Sequence, residues 1–180
     1  MHPAILPLAL ALSTAPGPGT SPDTAGASSA LRSEASYRIV IDKSDYELTL
    51  YEDGEWVAKY PVVFGSKDQG DKMMEGDRRT PEGTFRITYK KQHPQWGCFL
   101  LLDYPNRESV SRFNRRKKEG LIPNSARIGG GIGIHGTRPH EEYAVDRYIN
   151  WTEGCISLKY SEVFELFELL PVGTEVVIRK

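Results

Sequence analysis

Two short glycine-flanked segments carry the side chains best suited to covalent chemistry. One is Ile132-Gly133-Ile134-His135-Gly136-Thr137, and the other is Asn150-Trp151-Thr152-Glu153-Gly154-Cys155-Ile156-Ser157-Leu158. A thiol attacks a carbonyl as the thiolate, so it needs a neighbouring base or cation to give up its proton. Acyl transfer also needs backbone N–H groups aimed at the oxygen that gains charge. A glycine immediately before the cysteine permits a backbone turn that a side chain would obstruct. On this reading Cys155 is the nucleophile. His135 is the base that takes the thiol proton and later gives it to the leaving group. The N–H groups of Gly154 and Cys155, with Glu153 as a further donor, form the expected oxyanion hole. Alone, Cys155 would read as a small buried hydrophobe and His135 as a structural residue at a strand end. Their joint context favours catalysis. The other three histidines have weaker contexts: His2 near the start, His93 before Pro94 and His140 after Pro139.

The order His-Gly-Thr, then Thr-x-Gly-Cys-Ile some twenty residues later, resembles the YkuD-type L,D-transpeptidase catalytic domain. The resemblance runs from about Tyr37 to Lys180. It includes Gly76-Asp77-Arg78-Arg79-Thr80-Pro81-Glu82-Gly83-Thr84-Phe85 and the closing Leu170-Pro171-Val172-Gly173-Thr174-Glu175-Val176. It implies a mainly β, sandwich-like catalytic domain with minor α content. It also implies that the backbone carbonyl just after the catalytic histidine, that of Gly136, orients the base; Asp146 or Glu153 is the acidic alternative. The implied substrates are peptidoglycan stem peptides. The implied enzyme is exported to the periplasm or cell wall, acts as a monomer and uses no cofactor or metal. Cys155 would cleave an amide between L- and D-centres through a thioester, which an acceptor amine resolves to a cross-link. Water as acceptor would make the same site an L,D-carboxypeptidase or an amidase releasing wall-bound protein. A non-catalytic peptidoglycan-binding module is the alternative from another class.

The chain departs from the resembled pattern on both sides of the nucleophile. Many members have His or Arg before the Gly-Cys pair, and Arg or Asn two residues after the cysteine; here those positions are Glu153 and Ser157. A cation for a substrate carboxylate must then come from elsewhere. Arg138 is nearest in sequence, with Arg127 and Arg147 as alternatives. Trp151, Thr152, Glu153 and Tyr104 are the remaining expected substrate contacts.

The elements that must position these groups can be read from pattern. The 180 residues suffice for one domain with a real core. A net charge of -1 gives no basic excess for nucleic acid. The two cysteines, Cys98 and Cys155, neither build a disulfide scaffold nor show zinc-ligand spacing. A bridge between them would consume the nucleophile and is not expected. Residues 1–15 contain a short apolar run followed by small residues, which fits a secretory signal better than a membrane span. Residues 16–36, rich in Gly, Pro, Ser, Thr and Ala, read as a flexible linker.

Folded structure is expected from Tyr37. Strands are expected at residues 37–42, 47–51, 56–64, 84–89, 99–102, 132–134 and 174–179. The polar stretch from Gly65 to Thr80 is too long for a simple connection and reads as functional or disordered. Helices are expected over residues 106–119 and 161–170. The first carries Val110 and Phe113 on its inner side and a solvated basic face over residues 112–118. The second has Ser161 as its cap, with Val163, Leu166, Phe167 and Leu170 inward.

Overall fold

The computed structural model describes residues 35–180. The expected leader and nearly all of the linker lie outside the described residues. The chain order is β1 (Tyr37–Asp42), β2 (Glu47–Glu52), β3 (Glu55–Pro61), β4 (Gly83–His93), β5 (Gly97–Leu102), α1 (Arg107–Lys118), β6 (Gly133–Gly136), α2 (Tyr143–Asp146), β7 (Ile156–Leu158), α3 (Tyr160–Leu169) and β8 (Glu175–Arg179). Eight strands and three short helices make a mainly β domain. Strand order across the sheet is β3-β2-β1-β8-β4-β5-β6-β7.

The opening meander is antiparallel, as its tight turns require. The last strand, β8, fits between its two neighbours, parallel to β1 and antiparallel to β4. β4 is long enough to serve two ladders, pairing β8 through Gly83–Arg86 and β5 through Ile87–His93. A register shift between Ile87 and Tyr89 marks the crossover, the kind of irregularity that bends a sheet. Just past β3, Val63 bridges antiparallel to Ser157 in β7, with both N–H···O bonds at 2.9 Å. The two ends of the strand order therefore meet, and the sheet curls into a sandwich-like, nearly closed shape.

Alternation along β4 buries Phe85 and Ile87 and exposes Thr84, Arg86 and Thr88. These join Ile39, Ile41, Leu48, Leu50, Leu100, Ile134, Ile156, Val176 and Ile178 in one core. Helix α3 closes it with Val163 and Leu166 buried and Phe167 packed at the margin. Its cap is Lys159, not Ser161: the Glu162 carboxylate accepts from the Lys159 N–H at 3.3 Å, while Ser161 lies within the first turn and donates to Glu142. Asn106 caps α1 by accepting from the Ser109 N–H. That helix buries Ser109 and Phe113 but leaves Val110 exposed. Its basic run is not uniformly solvated. Arg112 reaches Asp71, and Arg116 reaches both Asp71 and the Lys72 carbonyl. These two arginines fasten the stretch from Gly65 to Thr80, which is an ordered loop.

Candidate active site

The short strands β6 and β7 run parallel, with Ile134 opposite Ile156 and His135 opposite Ser157. Cys155 stands two residues before Ser157, directly ahead of β7. Period-two alternation sends the side chains of His135 and Cys155 to one face of adjacent strands. The contacts of the sulfur agree: it is partly exposed and its S–H donates to the Gly131 carbonyl at 3.5 Å, alongside the segment leading into β6. Cys98 is buried in β5, and neither cysteine is disulfide-bonded.

His135 is 2% exposed. Its Nδ1 lies 2.8 Å from the Gly136 carbonyl oxygen. A carbonyl can only accept, so Nδ1 carries the ring proton and Nε2 keeps its lone pair. This is the tautomer a general base requires, and the orienting group is a backbone carbonyl. Asp146 pairs instead with Lys159, and Glu153 with Arg78. Burial pushes the His135 pKa down to about 4, against an opposing contribution from its Gly136 bond. Burial pushes the Cys155 thiol up, while the Gly133 backbone and the Lys72 ammonium act in the other direction. Both shifts favour the uncharged forms, neutral imidazole and neutral thiol.

An aromatic box holds the imidazole. Trp96 stacks on it at 4.7 Å between centroids, Phe99 lies nearly parallel at 6.0 Å and Trp151 meets it edge-on at 5.4 Å. Trp96 sits in the β4–β5 hairpin turn, and β5 pairs with β6 so that Phe99 stands opposite His135. The hairpin tip is thereby delivered to the imidazole. The Trp96 carbonyl also accepts the Gly136 N–H at 3.0 Å. A Cβ on Gly136 would lie 2.7 Å from that carbonyl oxygen, so only glycine fits. One residue thus stacks on the ring and also holds the peptide that fixes its tautomer. On its outer face Trp96 stacks against His93 at 4.2 Å.

The turn before Cys155 is built from backbone bonds. Gly154 has φ +123, a conformation side-chain-bearing residues avoid, and a Cβ there would lie 2.8 Å from the Arg79 carbonyl oxygen. Thr152 Oγ1 donates to the Cys155 carbonyl at 2.8 Å and accepts the Gly154 N–H at 3.2 Å. That bond commits the Gly154 N–H within the turn and removes it from the expected oxyanion pair. Among the described residues no group accepts from the N–H of Glu153 or Cys155, so those two are the available donors.

The 65–80 loop clamps this turn from outside. Thr80 Oγ1 donates to the Gly154 carbonyl at 3.0 Å, and the Arg78 guanidinium donates twice to the Thr152 carbonyl, at 3.2 and 3.1 Å. The loop is itself organised by Asp77, whose carboxylate accepts from Lys72 Nζ and from the N–H groups of Met73, Met74 and Arg79. Burial alone would raise the Asp77 pKa, but these donors bring it below the usual carboxylate value.

The other expected contacts are engaged with partners outside the Cys155 turn. Arg138 is exposed and pairs with Glu141, Arg127 pairs with Glu75, and Arg147 lies over the Tyr143 ring. Tyr104 is buried, donates to the Ile128 carbonyl and belongs to the core; burial pushes its pKa up to about 12. Ser157 is buried on the bridge to Val63. Trp96, Arg78, Thr80 and Asp77 escaped the sequence reading as site residues. The Pro94-Gln95-Trp96-Gly97 turn and the Asp77-Arg78-Arg79-Thr80 run were visible in the chain, but nothing local tied either to its distant partners in sequence.

Residues 36–178 match the L,D-transpeptidase catalytic domain family, YkuD. YqjB of Bacillus subtilis (strain 168), provisionally named an L,D-transpeptidase, is 30% identical over 144 residues, covering 78% of this chain and 69% of that protein. Among solved structures, the helical cell shape determining protein Pgp2 of Campylobacter jejuni is 25% identical with a TM-score of 0.58, over 81% of this chain and 48% of that one. An L,D-transpeptidase from Mycobacterium smegmatis has the same fold at 20% identity and a TM-score of 0.50, over 81% and 59% of the two chains. This chain spans about half the length of Pgp2. With a match of this extent, and with the fold and residue pattern described, the chain belongs to the YkuD L,D-transpeptidase catalytic domain family.

Proposed function

We propose that this protein is an exported cysteine acyltransferase that cross-links peptidoglycan stem peptides, with residues 37–180 as its catalytic domain. Residues 1–15 direct export and residues 16–36 tether the domain. The observation that carries the reading is the β6–β7 register, which sets an Nδ1-protonated His135 and Cys155 on one face of adjacent strands.

Because burial disfavours both charges, a standing thiolate–imidazolium pair is not the resting state. The thiol proton passes to His135 Nε2 as the sulfur attacks the donor carbonyl. The C–S bond forms, and the carbonyl electron pair moves onto oxygen under the N–H groups of Cys155 and Glu153. Collapse breaks the C–N bond, and the imidazolium gives its proton to the departing amine, which leaves as the terminal D-amino acid. An acceptor amine then attacks the thioester. Its proton passes through His135 to the sulfur, the C–S bond breaks, and a new amide remains. Stacking by Trp96 shields the ring from water and so keeps the waiting base neutral.

Incubation with purified muropeptides tests the reading. Dimer formation is expected from the wild type and none from Cys155→Ala. A carbapenem is expected to add to Cys155 by intact-protein mass. Shortened monomer in place of dimer would make the enzyme a hydrolase. Turnover that survives in Cys155→Ala would refute the nucleophile.

A further inference from the structure

Asn150 stands directly before Trp151, in a stretch of neither strand nor helix. Its side-chain amide is engaged at both ends. Oδ1 accepts the Phe64 N–H at 2.8 Å, and Nδ2 donates to the Ser66 carbonyl at 2.8 Å and to the Tyr46 hydroxyl at 3.0 Å. The Phe64 N–H can only donate and the Ser66 carbonyl can only accept, so these partners demand both ends of one amide. Aspartate would turn a second acceptor on the Ser66 carbonyl, and leucine would offer neither group. The Phe64 carbonyl in turn accepts from the N–H groups of Trp151 and Thr152, at 2.8 and 3.1 Å. Segment 64–66 lies hard against the nucleophile turn: a Cβ on Gly65 would clash with the Thr152 carbonyl and stand 2.8 Å from the Gly154 nitrogen. Tyr46, the third partner, holds φ +55, a costly conformation for a bulky residue and one that clusters at functional sites.

These bonds make an asymmetric mount for the nucleophile. After Cys155 the chain enters β7, which is held by the β6 ladder and by the bridge from Ser157 to Val63. Before Cys155, residues 149–154 lie in no strand or helix, and the Asn150 amide sets where the chain meets segment 64–66. From there Trp151 turns its edge to His135, and Thr152 ties the Cys155 carbonyl. We propose that Asn150 is a positioning residue, which acts through Trp151 and Thr152 to hold the Cys155 sulfur where His135 can take its proton. The proposal rests on the acyltransferase reading above. Asn150 needs no contact with substrate for this role, since a displacement of about 1 Å at the reacting atoms costs up to about a hundredfold in rate.

The test uses the full chain and two reagents. A carbapenem acylates the sulfur: a C–S bond forms, the lactam C–N bond breaks, and the ring nitrogen takes the thiol proton through His135. Asn150→Ala and Asn150→Asp are expected to slow this step about tenfold to a hundredfold, while the reversible binding that precedes it changes less than about twofold. Tyr46→Phe keeps two of the three bonds and is expected to slow it less than about threefold. Thr174→Val removes a side-chain bond to the Pro171 carbonyl on the connection into β8, and serves as the stability control. It is expected to lower the melting temperature and leave acylation within about twofold of wild type. Iodoacetamide needs no binding site and reads the pair directly: a C–S bond forms, iodide leaves and His135 takes the proton. At neutral pH the Asn150 variants are expected to be alkylated as slowly as His135→Asn. Equal slowing by Thr174→Val, or wild-type rates of acylation and alkylation in the Asn150 variants, overturns the proposal. Wild type alkylated no faster than His135→Asn overturns the positioning role alone. Wild type alkylated faster than the Asn150 variants but never acylated by a carbapenem overturns the acyltransferase reading and supports the positioning role.

Discussion

Protonation of His135 should be visible in the stability of the whole domain. The imidazole is 2% exposed, boxed by three aromatic rings, and its pKa is pushed down to about 4 from 6.5. Between those values the unfolded chain binds a proton that the folded chain refuses. Stability must therefore fall as pH drops from about 6.5 to about 4, and level off below. At about 1.36 kcal/mol per pH unit, the loss attributable to this one residue is about 3 kcal/mol at pH 4. The comparison is with His135→Asn, which keeps a short side-chain N–H for the Gly136 carbonyl and has no titration in this range. Urea unfolding of both proteins at pH 7.5, 5.5 and 4 isolates the term, because carboxylate contributions are common to both. The difference between their stabilities should change by about 3 kcal/mol across the series. Parallel profiles would mean that the imidazole is as easily protonated in the fold as in water, and the neutral-base argument would fail.

Other substitutions test how the site is held. Trp96→Ala should raise the His135 pKa towards 6.5, as followed by imidazole NMR shifts, and lower kcat by about tenfold to a hundredfold; Trp96→Phe should recover most of both. An unchanged pKa in Trp96→Ala would deny the stack its role. Gly154→Ala should destabilise the domain by about 1–3 kcal/mol in urea unfolding and abolish the carbapenem adduct, because the added Cβ meets the Arg79 carbonyl at φ +123. Thr80→Val leaves the buried Gly154 carbonyl without its donor and should cost about 1–3 kcal/mol with slowed acylation. Arg116→Ala should free the 65–80 loop from α1, seen as faster amide exchange over Lys72–Arg79 while the β1–β2 ladder keeps its protection.

Much of the fold was legible because local pattern and burial agree. Strands β1, β2 and β8 alternate or carry β-branched runs, and α3 shows a 3.6-residue apolar stripe. The errors each have a specific cause. β3 ends at Pro61 although residues 62–64 remain apolar, because Val63 leaves its hairpin to bridge Ser157. The β4–β5 hairpin is longer than its apolar content suggests, since an exposed ladder needs no hydrophobic side chains at its tip. The basic face of α1 looked solvated because the carboxylate it serves, Asp71, is more than 40 residues away in sequence.

For the site, the types Cys155 and His135 and their glycine settings are sequence properties, since a thiol after a left-handed turn and a base between glycines are local requirements. So are the mainly β class and the family. Everything relational was decided by the tertiary structure. The parallel register that sets base and sulfur on one face depends on pairing across some twenty residues. The stack from Trp96 depends on which strand β5 chooses as neighbour. The clamp from Arg78 and Thr80 depends on a loop held by buried charges drawn from β1's end, α1 and the loop itself. Such contacts leave no periodic signal in the chain, because hydrogen bonds and stacking specify partners in space and not spacing in sequence.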